Sequence, residues 1–146
     1  MSLAEKQGLD VILLAAPTSP RVRLARIARF TRGFIYYVSL TGITGARLHN
    51  LQEIKSRVLE IRRLTSKPIA VGFGISTPEE AALLSKVADG IVVGSAIVRL
   101  IEVHQERPEL LTAIQDFVKD LKQAFSMGIQ SHRTTKRKQV RRKYGG

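Results

Sequence analysis

The chain has 146 residues, 44% of them hydrophobic, and a formal net charge of +12. That length accommodates one domain with its own core, and the lack of any cysteine excludes disulfides, thiolate metal sites and cysteine nucleophiles. Seven of the positive charges (Arg133, Lys136, Arg137, Lys138, Arg141, Arg142 and Lys143) follow Ser126 with no acid among them, so the high pI is partly a property of the tail and says little about the body. A cysteine-free chain fits a reducing compartment. Met1 to Lys6 shows no apolar signal-peptide core, and the longest apolar run, Val11 to Pro17, is far below the ~20 residues that span a bilayer. The expectation is a cytoplasmic protein with no membrane partner.

In chain order, strand and helix alternate. Val11 to Ala16 is an apolar run that predicts a strand, broken by Pro17-Thr18-Ser19-Pro20. Ser19 as N-cap and Pro20 at the first helical position predict a helix to about Phe30, with Val22, Leu24, Ile27 and Phe30 as its apolar stripe. Gly33 ends that connection and Phe34 to Ser39 predicts the second strand. The loop Thr41 to Arg47 contains Gly42 and Gly45. Asn50 as cap, with Glu53 three residues on, predicts a helix burying Leu51, Ile54, Val58 and Ile61. Ile69 to Gly72 reads as the third strand. Thr77-Pro78-Glu79-Glu80 marks the next helix start. Ile91 to Val93 reads as the fourth strand, followed by a short helix from Ala96 to about Val103. A last helix is predicted from Pro108 to Phe125, with Leu110, Leu111, Ile114, Phe117, Val118 and Leu121 on one face. The tail, 126–146, has too few apolar residues to offset ordering entropy and is expected to be disordered.

The result is an α/β body, residues 1–125, of four βα units whose strands are near-continuous apolar runs, as buried parallel strands are. A (β/α)8 barrel typically takes about 250 residues. The body is therefore either half of such a barrel or a small open sheet.

Two glycine-rich turns follow successive strands: Gly72-Phe73-Gly74-Ile75-Ser76 and Gly94-Ser95-Ala96. Glycine lets a backbone approach a ligand closely, and a helix that opens at such a turn directs unpaired N–H groups at an anion. Paired turns of this kind build the phosphate site of (β/α)8 barrels. The expected phosphate ligands are backbone amides, with the Ser95 hydroxyl as an added donor. The loop from Thr41 to Gly45 lies after a strand's C-terminal end and has the glycines of a lid; the ordinary alternative is a plain surface connector. Tyr36 and Tyr37, adjacent on a strand, point to opposite faces; one is placed to stack on a planar substrate, although core packing is the ordinary role of a strand tyrosine. His49, His104 and His132 form no metal set and are expected at the surface.

The strand C-terminal ends read Ala15-Ala16-Pro17, Ser39-Leu40-Thr41, Gly72-Phe73-Gly74 and Val93-Gly94-Ser95. None carries Asp, Glu, His or Lys, and Asp10 and Asp89 precede strands. The equipment is for holding a phosphate and an aromatic group, with no catalytic acid or base.

Three segments carry a resemblance: Gly33 to Arg47, Pro68 to Glu79, and Asp89 to Val98, joined by Leu14 to Pro20. Together they resemble the tryptophan synthase alpha chain over about Gly8 to Phe125. The resemblance implies a (β/α)8 lyase of tryptophan biosynthesis that cleaves indole-3-glycerol phosphate to indole and glyceraldehyde 3-phosphate, passing indole to a beta chain that carries pyridoxal phosphate. No cofactor is implied for this chain itself. By the same resemblance Gly45, Gly74, Gly94 and Ser95 hold the phosphate, and Tyr36, Thr44, Phe73 and Val92 line the indole side. The chain looks like strands five to eight, and the family's two catalytic carboxylates, on strand two and in the loop after it, have no counterpart. The lone chain is then expected to be inactive, and to self-associate or to pair with a complementing first half. Two rival readings are a nucleic-acid binder working through the basic tail, against which stands the lack of any groove-reading motif, and another phosphate-binding barrel enzyme, against which stands the loop from Thr41 to Ala46.

Overall fold

A computed structural model describes residues 3–39, 47–72 and 74–144, with backbone alone for 47–50 and 130–144. Four strands, β1 (Leu14–Ala15), β2 (Ile35–Val38), β3 (Ile69–Gly72) and β4 (Gly90–Val92), form one sheet in sequence order, and every pairing is parallel. The helices are α1 (Leu3–Lys6), α2 (Arg21–Phe30), α3 (Arg47–Arg62), α4 (Pro78–Leu84), α5 (Ser95–His104) and α6 (Leu110–Tyr144). Four parallel strands with helical crossovers are the layout that the alternating apolar runs predict.

Alternation along each strand separates two faces. Ile35, Tyr37, Ile69 and Val71 are buried and join Leu24, Ile27, Ile54, Val58, Ile61 and Leu84 in a single core. The register sets Leu14, Tyr36, Ala70 and Gly90 side by side on the opposite face, and Val38, Gly72 and Val92 beyond them. On that second face Leu14 is 58% exposed.

The N-terminal ends of the strands are tied by polar groups. Asp89 Oδ2 accepts from the Ile69 amide at 2.9 Å and from Arg62 at 2.9 Å. Thr31, fully buried, accepts from the Leu13 amide at 2.9 Å and donates to the Phe34 carbonyl at 2.9 Å. Lys67 Nζ donates to the carbonyls of Ala28 and Thr31 at the end of α2, where the helix dipole favours a cation.

Several boundaries differ from the expected ones. Strand β1 shrinks to two residues because the Leu13 amide is drawn to Thr31 and the Val11 carbonyl to the Arg32 amide. Ser19 is not the cap of α2: Pro20 holds that position with no side-chain bond, and the Ser19 hydroxyl accepts from the Ala16 amide instead. Helix α3 begins at Arg47, so Asn50 lies within it. The fourth difference concerns the C-terminus. Helix α6 runs from Leu110 to Tyr144, past the end expected at Phe125. The reason lies at Gly128, which is buried against α4: a Cβ there would fall 1.9 Å from Ser85 Oγ and 2.7 Å from the Ala82 carbonyl. Of the apolar face expected on this helix, Leu121 is buried while Leu111 is 71% exposed.

The contact at Gly128 yields a test. Gly128→Ala gains about 1 kcal/mol in helix propensity, but it drives a methyl group into a backbone carbonyl. We expect a net loss of about 1–3 kcal/mol, measured as a lower urea midpoint with unchanged slope.

Candidate functional site

The C-terminal ends of β3 and β4 lie side by side. Gly72 pairs with Val92, so Gly74 and Gly94 each stand two residues beyond a registered pair. Gly74 has φ of +71°, a left-handed conformation that costs glycine little. Gly94 has φ of −123° and ψ of −78° and is the N-cap of α5. It is exposed, and a Cβ there would meet nothing within 4 Å. The Gly94 carbonyl accepts from Ile97 and Val98. The amides of Ser95 and Ala96, in the first turn of α5, have no acceptor within the helix, and Ser95 is exposed.

The helix after the first turn behaves otherwise. Thr77 and Glu80 form a reciprocal capping box at the start of α4. Glu80, 2% exposed, accepts from the Ser76 amide at 2.8 Å and the Thr77 amide at 3.2 Å. A carboxylate of the chain itself thus occupies the two amides at the start of α4. The two helix starts are therefore unequal: α4 is closed by its own acid, and α5 is open. The spacing Thr77-x-x-Glu80 is the sequence signal for this, since it marks a capping box as well as a helix start.

The aromatic side is built on the second sheet face. Tyr36 lies across Gly72: a Cβ on Gly72 would fall 2.6 Å from the Tyr36 ring and hydroxyl. Val92 neighbours Gly72 in register. Tyr36, Gly72 and Val92 thus form one continuous surface leading toward Gly74 and Gly94. Thr44, Gly45 and Phe73, and with them the expected lid, lie outside the described residues.

Tyr37 points the other way, into the helix-facing core. Its hydroxyl is buried with no hydrogen-bond partner among the described residues. Burial, with the Glu53 charge added and Arg57 opposing, pushes its pKa up to about 12. Arg57 is held by Glu60 at 2.8 Å and donates to the Pro17 carbonyl. The other titratable groups near the strands serve structure: Asp89 clamps the N-terminal end and Glu80 caps α4. His104 Nδ1 donates to the Leu100 carbonyl within α5; the side chains of His49 and His132 lie outside the described residues. Among the described residues no His, Cys, Asp and Glu group has the grouping of a metal site, and no helix is long and apolar enough to cross a membrane.

Two expectations follow. Gly72→Ala forces the Tyr36 ring off its seat, so the pair is energetically coupled. In a double-mutant cycle with Tyr36→Ala, the glycine substitution alone should cost on the order of 1 kcal/mol, and much of that cost should vanish once the ring is gone. The second concerns pH. Tyr37 keeps its proton in the folded chain up to a pH of about 12, whereas an unfolded tyrosine loses it near pH 10. Between those values the unfolded state binds fewer protons, so stability falls as pH rises, by on the order of 2 kcal/mol over the window. Tyr37→Phe removes that slope, which chemical denaturation at a series of pH values measures.

The chain matches the family model described as tryptophan synthase alpha chain over residues 1–126. It is similar to the tryptophan synthase alpha chain of Citrifermentans bemidjiense, 50% identical over 121 residues that are 83% of this chain and 45% of that one. It is similar to that of Gloeobacter violaceus, 49% identical over 122 residues, 83% of this chain and 44% of that one. Among solved structures, the alpha subunit from Legionella pneumophila superposes with a TM-score of 0.69 at 33% identity, covering 84% of this chain and 44% of that chain. The subunit from the hyperthermophile Pyrococcus furiosus gives 0.67 at 34%, covering 81% of this chain and 46% of that chain. The chain thus spans about half the length of the relatives it matches, and its four parallel βα units are part of a (β/α)8 barrel. Glycine turns, register and similarity point the same way, and the chain belongs to the tryptophan synthase alpha chain family.

Proposed function

We propose that this chain forms the substrate-holding part of a tryptophan synthase alpha chain, equivalent to strands five to eight of the barrel. Its substrate is indole-3-glycerol phosphate, which the complete catalytic unit cleaves to indole and glyceraldehyde 3-phosphate in the cytoplasm. In this reading the amides at Gly74, Gly94 and Ser95, with the Ser95 hydroxyl and Gly45, hold the phosphate. The open N-terminus of α5 contributes the favourable end of its dipole. Tyr36 and Val92, with Thr44 and Phe73, line the indole side. The natural partner is the beta chain, which would carry the pyridoxal phosphate.

One observation carries the proposal. The described C-terminal strand ends offer open amides and an apolar surface, while the acids beside the strands are engaged elsewhere: Asp89 at the opposite end and Glu80 in its own helix cap. The reaction needs a group to protonate the indole carbon and another to take a hydroxyl proton, each contributing about 10²- to 10⁴-fold. Neither is on this surface. The chain then binds and positions, and the acid and base come from a first half-barrel.

The chain alone should release no indole from indole-3-glycerol phosphate, and should gain turnover when mixed with a fragment carrying the family's strands one to four. Titration of the lone chain with glycerol phosphate, followed by amide chemical shifts, should move Gly74, Gly94 and Ser95 first. Family-level turnover by the lone chain would show the chemistry to be misplaced here. Shifts confined to other residues would remove the phosphate assignment.

A further inference from the structure

We propose that the C-terminal stretch of α6 is a binding helix for the major groove of double-stranded DNA, held there by phosphate contacts that do not depend on base sequence. This goes beyond the substrate-holding reading and does not rest on it, because the family model covers residues 1–126 and the basic run begins at Arg133. Helix α6 carries that run as one continuous helix to Tyr144. The same helix is seated on the body just before it. Leu121 is buried, and Gly128 lies against Ser85 and the Ala82 carbonyl at the end of α4. The run is thus borne by a helix anchored in the fold.

Arg133, Lys136, Arg137, Lys138, Arg141, Arg142 and Lys143 fill seven of eleven positions, and no acid follows Asp120. Helical neighbours three and four residues apart are therefore alike: Arg133 with Lys136 and Arg137, Arg137 with Arg141, Lys138 with Arg141 and Arg142. Each such pair repels, at a cost of about 0.2–0.5 kcal/mol, and the helix dipole offsets this only in the last turn. A polyanion alongside relieves every one of these repulsions. The charge densities also match. From Arg133 to Lys143 the helix rises about 15 Å, so it carries one positive charge per about 2 Å. Duplex DNA carries one negative charge per about 1.7 Å of its axis.

The distribution of these positions around the helix selects the form of the polyanion. At about 3.6 residues per turn, Arg133 and Arg137 occupy one side and Lys138 and Arg142 the opposite side. Arg141 lies on one flank between them, and Lys136 and Lys143 on the other. An anionic membrane engages one face of a helix and needs an apolar stripe there; the run offers Val140 and the following Tyr144. A groove has two walls and a floor, and meets several sides of a helix at once. The major groove of B-DNA is about 12 Å wide and admits an α-helix, whereas that of an RNA duplex is deep and narrow. Continuous basic helices enter the major groove of DNA in this way. Phosphate contacts carry no sequence information, so no groove-reading motif is required.

The test is fluorescence anisotropy of a labelled DNA duplex of about 20 base pairs, titrated with the full chain at salt from about 50 to 200 mM. Two duplexes of unrelated sequence should bind alike, and log K should fall against log salt with a slope of about −4 to −6, for five to seven phosphates neutralised. Changing Lys136→Gln, Arg137→Gln and Lys138→Gln together keeps good helix formers in place. That variant should bind at least about tenfold more weakly, with a slope shallower by about 3, and circular dichroism should show the fold intact. Arg21→Gln, Arg23→Gln and Arg26→Gln remove the same charge from exposed positions of α2 and should leave the slope within about 1 of the parent. No saturable binding at the lowest salt would overturn the proposal. So would equal losses from the two triple variants, which would assign binding to the charge of the whole chain. Equal affinity for an RNA duplex would remove the major groove of DNA as the site. Capture by phosphatidylserine vesicles without binding to the duplex would assign the helix to a membrane surface and overturn it as well.

Discussion

The carboxylate of Asp89 holds the arrangement on which everything at the other end of the sheet depends. It accepts from the Ile69 amide, and the Asp89 amide returns a bond to the Ile69 carbonyl. This reciprocal pair sits one residue before the register of Ala70 with Gly90, Val71 with Ile91 and Gly72 with Val92. A slip by one residue would carry each side chain of β4 to the other face. Val92 would leave Tyr36 for the core, and Gly94 would no longer stand level with Gly74. The bridge to Arg62 is 39% exposed on both sides and adds little energy as a surface pair. Its value is positional, because it ties the end of α3 to the same carboxylate.

The two ends of the strands divide their work by chemistry. At the N-terminal ends, buried or half-buried polar groups make dense connections: Thr31 serves the Leu13 amide and the Phe34 carbonyl, Lys67 closes α2, and Asp89 locks β3 to β4. At the C-terminal ends glycines dominate, and the first-turn amides of α5 have no acceptor within the helix. Barrels of this class concentrate stabilising contacts at one end of the strands, and the partial sheet does the same. Where an acid does sit near the binding end, as Glu80 does, it is turned onto its own helix start. Its negative charge is thereby spread over the two amides it accepts from.

Much of the architecture was legible from apolar runs. The centres of β2, β3 and β4, the helices between them and the opposite aims of Tyr36 and Tyr37 all follow from alternation and turn residues. The ends of elements were less legible because distant partners decide them. The start of β1 is lost to Thr31, eighteen residues away from Leu13, and no local pattern announces that. Helix α6 outlasts its apolar stripe because Gly128 meets Ser85 and Ala82 across a helix crossing; a lone glycine in a sequence reads as a breaker, and only the packing shows it as a contact. At the site, the glycine turns were visible, but their inequality was not drawn from the Thr77 and Glu80 spacing that encodes it. The pairing of Tyr36 with Gly72 needs the register and could not come from periodicity.

The burial pattern shows how so small a sheet draws its core from one face. The hydrophobic gain is concentrated on the helix side, where Ile35, Tyr37, Ile69 and Val71 pack against Ile54, Val58 and Leu84. The opposite face carries Ala70, Gly72 and Gly90, which contribute little burial themselves, together with Leu14, Tyr36, Val38 and Val92. Small residues there admit the Tyr36 ring onto the strand, and they keep the core from depending on that face. Tyr37 marks the limit of the same economy: it fills the core with its ring at the expense of a hydroxyl left without a partner among the described residues. The chain is thus stabilised mainly by one surface of its sheet, and the other surface, with the glycine turns at its edge, contributes little to the core.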